Sequence, residues 1–380
     1  MKKIAIIGAG ISGLFFANLL RQESRFDISI YEKNNSINLE KGYGIQLSVN
    51  SVNLLNKIGF QNINLANKFN PKKVDFYSLI KSKKICDIDI SIFNSNDAKY
   101  TTLQRSILID FLQQKLPNNL IQYNKTVIKI KETDKNIVLI FKDNSELDCD
   151  YLVISDGIFS STKSIIANKN IEPIYSKSIA IRGTIDKYMF KNIDNNNISL
   201  FLGPNFHSVI YPLDKGNELN FIGILKKKFN ESQMKDYSLF DDRSFIYSIL
   251  GELSSQFDQK ILKNIKCFPI YISKEIYKKK HKNIFLIGDA FFALPPTLAQ
   301  GASKSIEDAY ELYKNLENYN NSFFKKRIKK IKMINNRSKI NNFAFHLSNN
   351  QIIFLRDIIM KYLVKSEKFI NFYLGKIYKD

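Results

Sequence analysis

Six residues near the amino terminus, Gly8-Ala9-Gly10-Ile11-Ser12-Gly13, carry the spacing G-x-G-x-x-G. In such a turn Gly8 permits the tight bend, Gly10 lets a pyrophosphate approach the backbone, and Gly13 lets a helix pack closely on a strand. The free N–H groups and positive dipole end of the following helix then suit phosphate. Glu32, 24 residues after Gly8, can accept hydrogen bonds from a ribose. A glycine hexapeptide alone is weak, but a strand, a helix and an acidic residue in order make this a dinucleotide site. Position does not separate NAD from FAD.

The second stretch that could do chemistry is NIFLIGDAFFALPPTLAQGASKSIEDA, residues 283–309. Asp289 at a strand end can hold a ribityl hydroxyl. Pro295 and Pro296 stiffen the approach, and Ala299-Gln300-Gly301-Ala302 open a helix. Its N–H groups can face the pyrimidine edge of a flavin, where reduction develops negative charge. Together the two stretches favour FAD.

These residues need elements to hold them. Ile4–Ile7 is a continuous apolar run suited to a doubly buried strand, Ser12–Arg21 has helical spacing, and Ile28–Tyr31 is a second strand. That order opens a parallel, doubly wound sheet. The spacing of Leu103, Ile107, Leu108 and Phe111 predicts a helix over 102–115, stopped by Pro117. Residues 121–154 read as a meander ending at Asp156-Gly157. Between 172 and 275, IAIRGTI, ISLFLG, FHSVIYPL and LNFIGIL alternate with turns, which predicts an inserted antiparallel sheet. A strand over 283–287 and a helix over 300–316 return to the first pattern, and the tail beyond Tyr319 is helical and basic.

With these residues in view, the chain resembles the group A FAD-dependent monooxygenases, the aromatic hydroxylases similar to p-hydroxybenzoate and salicylate hydroxylases. Four ordered features carry the resemblance: GAGISG with Glu32, Arg105 in TLQRSILIDFL, Asp156-Gly157 in DYLVISDGIFSSTKS, and Gly288-Asp289. It implies an α/β fold, with a Rossmann-like FAD-binding domain, an inserted antiparallel β-sheet substrate domain and a C-terminal helical tail. The expected FAD-binding segments are 1–75, 100–171 and 276–318. Substrate-domain segments fall at 76–99 and 172–275, and the terminal helices at 319–380.

The resemblance also implies non-covalently bound FAD, with NAD(P)H as a transient electron donor lacking its own Rossmann domain. Arg105 would touch the FAD phosphates or flavin edge, and Asp156-Gly157 would serve FAD and the nicotinamide. The loop Gly42-Tyr43-Gly44-Ile45-Gln46-Leu47 would pack beside the isoalloxazine. The implied FAD contacts are Gly8, Gly10, Ile11, Ser12, Gly13, Glu32, Lys33, Gln46, Arg105, Val127, Asp156, Gly157, Asp289, Pro296, Gly301 and Ala302. Two positions depart from the family: Phe292 stands for its usual His, and Ala299 for the first glycine of its G-Q-G.

The implied reaction is hydride transfer to FAD, reaction with dioxygen, and oxygen transfer to a small phenolic or heteroaromatic substrate through a flavin hydroperoxide. A phenol reacts faster once deprotonated, so a base is sought among three histidines. His281 in KKKHKN reads as lying in a solvated loop, and His346 on the C-terminal helix. His207 begins FHSVIYPL, where alternation puts His207, Val209 and Tyr211 on one face. His207 is the candidate phenol base and Tyr211 a substrate hydrogen-bonding group. Arg182 is a candidate for an acidic substrate or the flavin edge, with a structural ion pair as its alternative.

Other readings stay open. The apolar, Lys-bearing stretch 351–378 would suit a peripheral-membrane hydroxylase of a quinone precursor. A non-oxygenating FAD oxidoreductase would use the same cofactor site. A halogenase is disfavoured, since that branch relies on a tryptophan-containing motif and the chain has no Trp.

Composition bounds the rest. At ~150 residues per domain, 380 residues imply two domains. Lys+Arg number 57 against 36 Asp+Glu, giving +21. Only eight of those cations are Arg, which argues against base-reading nucleic-acid recognition. Three scattered cysteines (Cys86, Cys149, Cys267) offer neither metal spacing nor a disulfide framework. The expected location is the cytoplasm, and no metal is expected.

Overall fold

The computed structural model describes residues 1–37, 43–133, 136–189, 193–230, 233, 237–253, 261–278, 281–317 and 322–379. Gly42 of the expected flavin loop lies outside the described residues.

Five strands form a wholly parallel sheet in the order Ile284–Leu286, Tyr151–Ile154, Lys2–Ile7, Phe26–Tyr31, Ile121–Gln122. The first strand shows why it is apolar throughout. Ile4 and Ile6 enter the core built on Leu14, Phe15 and Phe16 of the helix Ile11–Leu20. Ala5 and Ile7 enter a second core with Val127, Ile137, Leu139 and Phe141. Helices therefore cover one face, and a three-stranded meander (Val127–Glu132, Ile137–Phe141, Glu146–Cys149) covers the other.

The second sheet has seven strands: Leu262–Ile272, Ile174–Asp186, Glu218–Lys226, Phe206–Pro212, Ile198–Gly203, Lys73–Ser78, Lys83–Asp89. Its pairings are antiparallel except Ile198–Gly203 with Lys73–Ser78. One face packs Ile179, Ile181, Phe206 and Phe221 against Ile246 and Ile249 of the helix Arg243–Gly251. Opposite them, Arg182, Ile222 and Val209 lie in register, so their side chains share the other face. That face looks toward the terminal helices Phe323–Phe345 and Asn350–Leu363.

One expected helix is shorter than its spacing implied. Thr101–Gln104 is a strand, and the helix runs only from Arg105 to Gln114. Leu103 lies opposite Ile45 and Thr102 opposite Gln46. Cross-strand pairing of the β-branched threonines overrides the helical register of Leu103. Likewise, Ile121–Gln122 and Tyr151–Ile154 belong to the parallel sheet, not to the meander between them.

Candidate active site

Three sequence motifs meet at the carboxyl end of the parallel sheet, and close contacts of their glycines with backbone and side-chain atoms explain their residue types. Gly8 has φ +100°, and a Cβ there would lie 2.7 Å from the Ser155 carbonyl oxygen. A Cβ on Gly13 would lie 2.2 Å from the Gly8 carbonyl oxygen, and one on Gly288 would lie 2.5 Å from Ser12 Oγ. The Ser155 hydroxyl donates to the carbonyls of Ile7 and Gly8 at 2.8 and 3.0 Å. The turn, the Asp156-Gly157 loop and the Gly288-Asp289 segment thus seat one another.

Other glycines in the same motifs face open space. Neither Gly10, Gly157 (φ +85°) nor Gly301 has an atom within 4 Å of where a Cβ would stand. Gly10 is the N-cap of the helix Ile11–Leu20, and Gly301 opens Gly301–Glu317. These cradles suit a ligand that approaches backbone N–H groups. Glu32 is held ready by two amides: Ala9 N–H donates to Oε2 and Asn34 N–H to Oε1, both at 3.0 Å. Lys33 beside it is exposed. Asp156 has one buried carboxylate oxygen without a partner, and burial raises its pKa. An orphaned acceptor and three open glycines fit the adenosine, pyrophosphate and ribityl portions of FAD. Val127 packs in the core with Tyr31, so its side chain is engaged there.

The Gly288-Asp289 segment, the end expected to hold the flavin, opens into a cavity of about 1310 Å³. Arg105, Asp289, Pro296, Gly301, Ala302, Gly44 and Gln46 line it at this end. Burial raises the pKa of Asp289, with Asp308 adding to the rise and Lys304, Arg105 and Lys163 opposing it. Burial, and then Arg182, lower the pKa of Arg105. Two guanidinium groups therefore feel one another across this end, which favours an anion there.

The substrate-domain face supplies the far wall. His207, Val209 and Tyr211 all line the cavity, as does Arg182. Arg182 lies over the Tyr43 ring at 5.2 Å, and burial lowers its pKa. Among the described residues no carboxylate lies within ion-pair distance of it, so the ion-pair alternative is not what these residues form. Tyr211 hydrogen-bonds Gln46, whose Oε1 also accepts from Tyr100 Oη at 2.8 Å; Tyr100 in turn bonds Tyr378. Burial pushes the Tyr211 phenol upward, so it stays neutral.

His207 stands four residues from Tyr211, about 13 Å along the strand. Its Nδ1 lies 3.0 Å from His346 Nε2, and His346 Nδ1 lies 2.7 Å from the Asn342 carbonyl. His346 Nε2 also lies 3.3 Å from the Ile224 carbonyl, so carbonyl oxygens face both of its ring nitrogens. Burial and the neighbouring imidazole hold His207 well below the ordinary histidine pKa.

His281 corrects the sequence expectation. It is not solvated: 7% of its side chain is accessible, with Nδ1 2.9 Å from Glu132 and Nε2 3.1 Å from the Tyr277 hydroxyl. The lysines around it masked a tertiary partner on the meander.

Sequence reading missed a buried charge network under the flavin segment. Lys304 Nζ donates to the Gly288 carbonyl at 2.6 Å and pairs with Asp308 at 3.0 Å. Asp308 also accepts from Gly288 N–H and from Arg327 Nε, and Arg327 pairs with Glu307. Lys304 and Asp308 at i, i+4 were visible in the sequence; Arg327 was not, because it comes from the next helix.

The FAD binding domain family model matches residues 1–321. This chain belongs to that family. Salicylate hydroxylase of Pseudomonas putida is 24% identical over 342 residues, covering 82% of this chain and 75% of that protein. Klebsiella pneumoniae HpxO complexed with FAD and uric acid superposes with a TM-score of 0.78 at 17% identity, covering 99% of this chain and 96% of the other. A salicylate hydroxylase substrate complex gives 0.78 at 18% identity, with 100% and 95% covered. The chain is a flavoenzyme of the group A FAD-dependent monooxygenase type, with FAD as its cofactor. Among the described residues no helix is long and apolar enough to cross a membrane, and no acidic, His or Cys cluster could hold a metal ion.

Proposed function

We infer that this flavoenzyme hydroxylates an aromatic substrate bearing an acidic or phenolic group, using NAD(P)H and dioxygen. The observation that carries the reading is Arg182, a cation that among the described residues has no carboxylate partner, on the wall of a largely apolar cavity and within electrostatic reach of Arg105. A buried charge needs a counter-charge, and a substrate carboxylate or phenolate supplies it.

FAD, when bound, supplies hydride acceptance and dioxygen activation, and the chain's own residues do the rest. Asp289, Arg105, Asp156 and the helix ends at Gly10 and Gly301 hold the cofactor. Arg182 orients the substrate's acid, and the Tyr211–Gln46 pair offers polar contacts to its hydroxyl. Aliphatic residues such as Ile222 and Val209 exclude water around the reacting ring. His207 lines the cavity and acts as phenol base only for a hydroxyl that reaches its row.

The test is to purify the yellow protein and follow NAD(P)H consumption, peroxide and product against phenols, heteroaromatic acids and quinone precursors. Incorporation of an atom from labelled dioxygen supports the reading. Substrate-stimulated hydride transfer without incorporation would favour the non-oxygenating oxidoreductase instead.

A second reading, peripheral contact with an anionic membrane, is favoured by exposed Phe354, Tyr362 and Phe372 near Lys361, Lys365 and Lys376. Vesicle sedimentation at low and high salt tests it; the cytoplasmic side is its expected setting.

A further inference from the structure

The cavity of about 1310 Å³ takes in both the flavin end and the walls beyond it, so the chemistry of those walls, not the volume, bears on the substrate. At the flavin end its lining carries Arg105, Arg182 and Asp289. Beyond that end the lining is mostly apolar, from sheet residues such as Phe76, Ile88 and Leu200 and from the terminal helices, which also bring Asn336, Arg337, Asn341 and Arg356 to it.

The helix Phe323–Phe345 passes the flavin segment where Thr297 Oγ1 donates to the Ser338 carbonyl. Ile340 and Phe343 follow on it, lining the cavity although 60% and 66% exposed. The helix Asn350–Leu363 presents Ile352, Leu355, Ile359 and Leu363, a stripe at i, i+3, i+7 and i+11. All four line the cavity, and Leu355 and Ile359 are 55% and 46% exposed. At ~1.5 Å per residue that stripe is about 16 Å long.

The nearby charges are already engaged and do not oppose an apolar occupant. Arg356 pairs with Asp357 at 2.7 Å and donates to the Ala344 carbonyl, while Arg337 donates to the carbonyls of Phe372 and Tyr373. A trough with accessible aliphatic walls, continuous with a site that has a cationic head, fits one kind of ligand. Covering those walls is favourable at about 25 cal/mol per Å².

The geometry points to a substrate that is an aromatic acid or phenol carrying a long apolar chain, with its head at Arg182 and its chain in the trough along Ile352, Leu355, Ile359 and Leu363. This rests on the hydroxylase reading for the head group, but the trough can be tested by binding alone.

The probes are 2-hydroxybenzoic acids with one straight alkyl chain para to the hydroxyl, from none to about twelve carbons. Binding to the FAD-loaded enzyme is read from the flavin spectrum, and turnover from oxygen incorporation. The dissociation constant is expected to fall about fourfold per methylene until the trough is filled. Leu355→Glu and, separately, Ile359→Glu should flatten that dependence while FAD stays bound, lowering the preference for the longest over the unalkylated acid at least tenfold. A constant that ignores chain length, or no binding by any member, overturns the proposal. Chain-dependent binding without oxygen incorporation would uphold the trough and overturn the hydroxylase reading. Hydroxylation of the unalkylated acid with a flat chain response would do the reverse.

Discussion

His207 and His346 meet ring to ring, with Nδ1 of the first 3.0 Å from Nε2 of the second. One comes from the substrate-domain sheet and the other caps the long terminal helix, so the contact ties helix to sheet at the cavity wall. Burial lowers the pKa of both. The folded state therefore prefers them neutral, and the unfolded chain binds more protons as pH drops below about 6.5. Stability contributed above that pH should be lost as pH falls toward the folded values. The thermal midpoint is expected to decline between about pH 7 and pH 5, and less steeply in His346→Gln. An equal decline in both proteins would contradict this.

His207→Ala should keep its FAD and slow substrate-dependent NAD(P)H oxidation for ligands whose hydroxyl reaches that row. Unchanged turnover across a phenol panel would remove His207 as a base.

Asp289 has its pKa raised by burial. A raised carboxyl destabilises the fold as pH climbs through its folded value, so the FAD-free Asp289→Ala protein should be more stable at pH 7 than the FAD-free parent. The same variant should retain less FAD, because a ribityl partner is lost. Absorbance of the purified protein and melting of both apoproteins check the two halves, and a fully yellow variant would contradict the assignment.

Ala299 adopts φ +51°, in the left-handed region, immediately before the helix-opening Gln300-Gly301. An alanine there carries strain of about 1 kcal/mol that glycine would relieve. Ala299→Gly is expected to raise the unfolding free energy by roughly that amount. A drop measured by denaturant titration would show that glycine's entropy outweighs the strain.

Arg182→Ala should raise KM for a carboxylated aromatic by about ten- to a hundredfold, the range for a hydrogen bond to a charged group. An uncharged analogue should be affected far less. Equal losses for both would place Arg182 in folding, not recognition.

Arg327→Met removes one cation from Glu307 and Asp308, which keep Lys330 and Lys304, so the loss should fall below the about 3–5 kcal/mol of a buried carboxylate left without any partner. Since Asp308 also holds Gly288 N–H, FAD retention should fall with stability. Chemical unfolding with and without added FAD tests the linkage.

The glycine turns at the carboxyl end of the parallel sheet were legible in residue type alone. Gly8 and Gly13 are required by close backbone contacts and Gly288 by the Ser12 side chain, each nearer than a Cβ allows, so their spacing is written in residue type. Glu32 and Asp289 follow at strand ends, where short-range order places them. The parallel and inserted sheets were legible for the same reason, in continuous and alternating apolar runs. Only the tertiary structure decided what those runs enclose. His207 meets His346 139 residues away, His281 meets Glu132 149 residues away, and Arg327 enters beneath Gly288 from a separate helix. The trough likewise exists only because helices after residue 322 lie over the substrate-domain face. No local pattern encodes which faces meet; hydrophobic burial and long-range pairing choose them once the chain has folded.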